Sequence, residues 1–333
     1  MRRILAILST LSVAASVQIG SAQPALPFSQ PKPLPPESVT VTGTKATDEA
    51  IEKFEKARAQ PTYVLGRMAR WTKGVCPVTL GLADKYAKYI TRRIKDVAAA
   101  VGAPVDGDPA CLPNIEVMFT LNPEILMGNV RKTKSLLLGY HHNEREADEL
   151  AKVTHPIQAW YTTNSQDLKG ESFVDTGTCG TGGVTALNSM PNAPPVTADA
   201  VANGVVAGGF SLPCAVVVHE TGTRTGKDGL TSGFFNIIIV ADPSKLLDYE
   251  VGTLGDYIAM MALSQPSSLN SCQDLPSISN LLVKDCNSIP IWITDGDLAF
   301  LKGLYRTVGS SFIIQQNEIL REMRKALVTD KGR

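Results

Sequence analysis

The sequence has no long hydrophobic run beyond its first two dozen residues. No later segment is apolar for the roughly 20 residues that a bilayer core requires, so no membrane-spanning helix is expected. It also lacks an excess of charge, with 32 basic residues against 32 acidic ones. That balance gives no electrostatic footprint for nucleic acid or for an anionic membrane surface. Histidine is scarce: His141, His142, His155 and His219 are the whole set. None of them stands four residues from another, the spacing by which HExxH puts two imidazoles on one helix face. His141-His142 reads as a surface pair. His219-Glu220 runs on into Thr221-Gly222-Thr223, so His219 reads as a satisfied residue at a strand end. No metal and no other cofactor is expected. There is no CxxC, which excludes zinc ribbons and thioredoxin-like redox motifs. There is no GxSxG elbow, and no SxxK falls in a segment expected to fold. Gly222-Thr223-Arg224-Thr225-Gly226-Lys227 is one residue too short between its glycines for a Walker loop. Asp228 then stands where a magnesium-binding Ser or Thr belongs, so the segment reads as a hairpin tip.

What is present begins with an export signal. Arg2 and Arg3 precede an apolar stretch over residues 4–17, and Gly20-Ser21-Ala22 supplies small residues for cleavage after Ala22. Residues 1–22 are therefore read as a signal peptide, and the mature protein as periplasmic or secreted. Loss of Arg2 and Arg3 leaves 30 basic residues against 32 acidic. Residues 23–45 carry Pro24, Pro27, Pro31, Pro33, Pro35 and Pro36 and read as an extended linker with too little apolar matter to fold. Residues 46–330 suffice for one large core and are expected to form a single domain. In an oxidising compartment the even set Cys76, Cys111, Cys179, Cys214, Cys272 and Cys286 is expected to be consumed in disulfides. Sequence alone does not choose the connectivity. The simplest expectation pairs neighbours, as Cys76–Cys111, Cys179–Cys214 and Cys272–Cys286, each closing a loop that contributes about 3 to 4 kcal/mol if unstrained.

Helices are expected over 47–59, 81–101, 144–153, 252–265, 294–308 and 310–327. The clearest is 81–101, where Ala83, Tyr86, Ala87, Ile90, Ile94, Val97, Ala98 and Val101 form one stripe at helical spacing. Residues 252–265 are apolar nearly all round and should lie deep in the core. Thr294 followed by Asp295 and Asp297 is a helix start with a hydroxyl cap and an acidic first turn. Strands are expected over 115–120, 136–140, 157–163, 214–220 and 234–241, the last two as a long-looped hairpin. Hairpins outnumber βαβ units in this reading. The fold class is therefore α+β, a mixed or antiparallel sheet packed against amphipathic helices and stapled by disulfides.

Three resemblances bear on function. Cys76-Pro77-Val78, Arg93-Ile94, Val97-Ala98, the run 111–117 from Cys111 and the run 255–265 resemble an uncharacterised family of exported proteins of Gram-negative bacteria. That resemblance implies export and carries no activity. The order of elements resembles zincin-like metalloproteases, whose metal motif opens the second helix. At that place stand Asp256, Tyr257 and Met260, so the resemblance implies a degenerate scaffold without its metal. Residues 38–44, with Val41-Thr42-Gly43, resemble the box near the N-terminus of TonB-dependent receptors. The leading expectation is a metal-free exported protein with a binding or cell-envelope role and an envelope or peptide partner. The alternatives are a divergent hydrolase or peptidase and a TonB-linked accessory protein tethered through 38–44. The hydrolase would have a dispersed site between the 252–265 helix and the 214–241 hairpin. Its catalytic candidates are Asp256, His219 and Glu220, since a triad is defined by geometry and not by chain order.

Overall fold

A computed structural model describes residues 47–166, 172–176, 230–286, 288–308 and 311–328. The signal segment, the Pro-rich linker, the 38–44 run, Cys179, Cys214, His219, Glu220 and the 222–227 turn lie outside these residues. Among the described residues, five strands make one mixed sheet: β1 (Pro77–Leu80), β2 (Ile115–Phe119), β3 (Ile157–Gln166), β4 (Ser172–Val174) and β5 (Thr231–Ala241). Their order is β1-β2-β5-β3-β4. β1, β2 and β5 run parallel, whereas β3 is antiparallel to both β5 and β4. Among the described residues the α-helices are α1 (Asp48–Arg58), α2 (Asp84–Val101), α3 (Pro123–Thr133), α4 (Glu144–Leu150), α5 (Val251–Leu263), α6 (Asp295–Arg306) and α7 (Phe312–Val328). The class is α+β.

Strand alternation sorts the core into two layers. Ile237, Ile239 and Ala241 of β5 join Ile115, Val117 and Phe119 of β2 on the face covered by α2 and α5. Ile238 and Val240 point the other way, into a smaller cluster with Met118, Met127, Leu138, Ala147 and Trp160. β5 is thus apolar on both faces, and a continuous β-branched run is what such a position selects. The expected stripe of α2 is buried as Tyr86, Ile90, Ile94, Val97, Ala98 and Val101, and Gly102 ends the helix in the left-handed conformation. The start of α6 is a capping box, in which Thr294 accepts from the Asp297 amide and Asp297 reaches back to the Thr294 amide.

Three local readings are corrected. Residues 136–140 are not a strand; Ser135–Leu138 is a 3₁₀ turn. Gly139 has φ +97°, and a Cβ there would stand 2.7 Å from the Tyr161 carbonyl oxygen, so the chain turns away beneath β3 where only glycine fits. Helix α3 was not foreseen, because it buries only Pro123 and Met127 and so shows no apolar stripe; it opens on a proline at its first position. Strand β1 was not foreseen either, being four residues long and opening on a proline, which an edge strand tolerates. With β1 in place, β1-α2-β2 is a parallel crossover unit, so the described part of the sheet is less rich in hairpins than expected.

Two of the neighbour pairings are present. Cys76–Cys111 ties the residue before β1 to the loop before β2, with Cα atoms 6.1 Å apart. Cys272–Cys286 closes the loop between α5 and α6, with Cα atoms 5.6 Å apart.

Candidate functional site

Helix α5 is buried at every position. Its last four carbonyls have no partner within the helix and must be satisfied from outside. Ser264 donates its amide (3.2 Å) and its hydroxyl (2.9 Å) to Met260 O. Tyr161 of β3 donates to Met261 O at 3.0 Å, Trp71 Nε1 to Ala262 O at 2.8 Å, and Tyr305 of α6 to Leu263 O at 3.0 Å. Three aromatic side chains from separate parts of the chain therefore cap one buried helix end. Burial also pushes the Tyr161 and Tyr305 hydroxyl pKa values up, which keeps both as donors.

On α5, Asp256, Tyr257 and Met260 are 1 %, 3 % and 1 % exposed. Asp256 Oδ1 accepts from Arg93 Nε of α2, and its Oδ2 accepts from the Ile293 amide at 2.9 Å. Burial works against the Arg93 charge, but the hydrogen bond and field of Asp256 outweigh it and hold that guanidinium above its ordinary pKa. Tyr257 is pushed up to about 12 by burial, against the pull of Arg58. Arg58 is itself buried, which lowers its pKa, while Asp297, Tyr257 and Tyr161 act in the opposite sense. Asp256 is thus committed through both oxygens to structural partners, and no described surface reaches it. The space between α5 and β5 is filled by one apolar core containing Ile237, Ile239, Ile258 and Met261.

Among the described residues, no three His, Cys, Asp or Glu side chains converge as a metal site. His155 bonds Thr154 Oγ1 and Asn270 Oδ1, each at 2.8 Å. The expected surface pair is half right. His142 is exposed, but His141 is buried, with Nδ1 donating to Gly139 O at 2.8 Å. Consecutive side chains on an extended stretch point to opposite sides, so one of the two is drawn inside.

A solvent-open concavity lies on the other side of the sheet. Tyr140, Asn143, Arg145, Glu146, Glu149 and Leu150 line a cleft of 410 Å³. The exposed ring of Tyr63, which is 66 % accessible, stacks on Tyr140 with centroids 4.2 Å apart and planes 17° from parallel. His142 meets both rings edge-on, at 5.0 Å and 5.1 Å, and its Nε2 bonds the Tyr63 hydroxyl at 2.8 Å. Offset and edge-on arrangements are those that the ring quadrupoles favour. The cluster is fixed from below. Asn143 caps α4 by accepting from the Glu146 amide at 3.0 Å, and Glu146 accepts from the His142 amide at 2.7 Å and from Asn143 Nδ2 at 3.1 Å. Arg131 of α3 reaches Glu144 and, at 2.9 Å, Asp148, which ties α3 to α4. Trp160 of β3 holds the other end of α4 through Leu150 O at 2.6 Å. Sequence reasoning missed this site. Asn143 with Glu146 three residues on is a readable cap signal, but Tyr63 stands far away in the chain and only the fold brings it to Tyr140.

A second polar feature on this side of the sheet is enclosed. Glu116 of β2 accepts from Asn236 Nδ2 of β5 at 3.3 Å, and Asn236 Oδ1 has no partner. Burial pushes the Glu116 carboxyl up to about 7, against the effects of Asn236 and Lys134. Asp175, at the end of β4, accepts from Thr163 Oγ1 at 2.6 Å and Ser165 Oγ at 2.8 Å, and burial raises its pKa despite both bonds.

Comparisons with protein-family models, curated proteins and solved structures find no match to this chain.

Proposed function

We propose that this chain is an exported, disulfide-stapled binding protein of the cell envelope that takes its ligand in the cleft lined by Tyr140 and α4. The observation that carries this reading is the contrast between two places. The helix that would carry a metal motif in a zincin-like scaffold is sealed, with Asp256 spent on Arg93 and on the Ile293 amide. The Tyr140 cleft is open and lined by aromatic, amide and charged groups held on short, well-tied elements. Pockets with an apolar floor and a few convergent polar groups are the usual form of a ligand site. Export and a periplasmic or secreted location are supported by the signal-like N-terminal sequence and by the two disulfides, since such bonds persist in oxidising compartments.

The test is a thermal-shift screen of the mature, oxidised protein against soluble oligosaccharides, short peptides and lipid micelles. At least one class should raise Tm, because a ligand that binds only the folded state stabilises it by mass action. The rise should vanish in the double variant Arg145→Ala/Glu149→Ala, which changes two exposed residues of the cleft. A screen in which no class raises Tm would overturn the proposal.

A further inference from the structure

We infer that α7 is a pH-sensitive latch, which docks on α1 over the carboxyl group of Glu55 and is released locally when that group ionises. The inference does not depend on the cleft. Its first ground is that α7 is narrowly anchored. Gln315, Ile319 and Met323 are its buried side chains, and they stand four residues apart in a single row. Phe312, Leu320 and Leu327 are only partly buried against the core. The row rests on α6 where Gly303 lets Ile319 approach; a Cβ there would stand 2.9 Å from Ile319 Cα. α5, by contrast, is buried at every position. A helix held by so few enclosed side chains belongs to the part of a fold that opens before the rest.

The second ground is the seam between α7 and α1, which is polar. At its margin Arg324 pairs with Asp48 at 3.0 Å and with Glu52 at 2.9 Å. Pairs so exposed contribute little. Inside the seam Gln316 Nε2 donates to Glu55 Oε2 at 3.1 Å. Glu55 is 1 % exposed, and its Oε1 has no partner. An ionised carboxylate accepts at both oxygens, and here it meets a single donor. Enclosing a charge on those terms is costly, so the docked helix favours the neutral acid. Nearby charges do not relieve this. Lys56 and Glu52, both on α1, act on Glu55 in opposite senses. Among the described residues Arg58 makes no ion pair with Glu55, and the fields on Arg58 come from Asp297, Tyr257 and Tyr161. Arg324, the cation that α7 brings to the seam, is spent on Asp48 and Glu52. Burial outweighs Gln316 and Lys56 and pushes the Glu55 carboxyl up to about 7.

The direction of the switch follows from these two states. With α7 released, Glu55 meets water and returns to its ordinary value of 4.5. Between 4.5 and about 7 the released state has given up a proton that the docked state keeps. Docking is therefore firmest below that window. It weakens about tenfold for each pH unit across the window and changes no further above it. Release also frees the chain at Met68, whose amide donates to Gln315 Oε1 at 2.9 Å.

The test is hydrogen exchange followed by mass spectrometry on the mature oxidised protein, at pH 5 and at pH 7.5. Rates are read as protection factors, so that the intrinsic pH dependence of exchange cancels. From the lower to the higher pH, the amides of α7 and of Met68 should lose protection together, by more than about tenfold. At both values they should stay less protected than the amides of α5. Glu55→Gln keeps the volume and an acceptor for Gln316 but cannot ionise. In that variant the protection of α7 should be the same at both pH values, with near-ultraviolet dichroism like that of the wild type. Protection in α7 equal to that in α5 at both pH values would mean that α7 leaves only when the whole fold does, and would overturn the inference. So would a wild-type loss of protection retained in Glu55→Gln.

Discussion

Glu116 shows how a residue's charge state follows from where the fold puts it. Its sequence neighbours, Ile115 and Val117, face the main core, and strand alternation turns Glu116 to the opposite, equally enclosed face. Burial there raises its pKa from 4.5 to about 7. The folded state therefore keeps a proton that the unfolded chain releases above its ordinary carboxyl range. Stability from this group is full below about pH 4.5 and is lost as pH rises through about 7, by up to roughly 3 kcal/mol. The neutral acid also carries an O–H donor, and Asn236 Oδ1 beside it lacks one. Glu116→Gln keeps the volume, removes the charge and supplies a donor. Thermal unfolding between pH 5 and 8 should show Tm falling less steeply in Glu116→Gln than in the wild type, with the variant more stable at the upper end. Parallel curves would refute the assignment. The sequence hid this group because an acidic residue in a strand pattern reads as solvent-facing, and only the covering of both sheet faces reverses that.

Helix α5 was legible as an element and its partners were not. The apolar content of 252–265 predicted deep burial, and burial is complete. The Arg93–Asp256 pair joins two helices across 163 residues of sequence, a contact that no local pattern announces. The aromatic caps on its final carbonyls are equally remote. Removing one member of a buried pair leaves an uncompensated charge, whereas replacing both with apolar groups of similar volume is far milder. Arg93→Met should cost about 3 kcal/mol in urea unfolding, at the low end of that class because the arginine is partly exposed. The double variant Arg93→Met/Asp256→Leu should cost clearly less than the sum of the single changes. Additive losses would mean that the pair does not couple α2 to α5. Elements without a stripe were the ones sequence reasoning missed. α3 buries too little to show a period, and the Leu136-Leu137-Leu138 run looked like a strand until Gly139 turned it.

At the scale of the whole molecule, a parallel unit (β1-α2-β2 with β5) is joined to an antiparallel edge (β3 and β4), and the two faces of this sheet are built differently. The face bearing α2, α5 and α6 holds a continuous core, an ion pair whose carboxylate is buried and whose arginine is partly exposed, and a helix end closed by three aromatic side chains. The face bearing α3 and α4 is thinner and carries the cleft. The class followed from pattern; Cys76–Cys111 and Cys272–Cys286 match the simplest pairing of neighbours, a connectivity that the sequence alone does not choose. The cleft did not follow, because nothing in the local pattern of residues 140–150 marks them as the lining of a concavity. The most direct measurement of which face works is the calorimetric affinity of one ligand, the strongest hit of the stability screen, for two variants. Arg145→Ala, at an exposed lining residue of the cleft, should bind it about tenfold more weakly with Tm little changed, and Asp256→Asn should lower Tm while leaving the affinity as it was. The reverse outcome, affinity lost with Asp256→Asn and kept in Arg145→Ala, would place the working site on the buried helix and contradict the assignment.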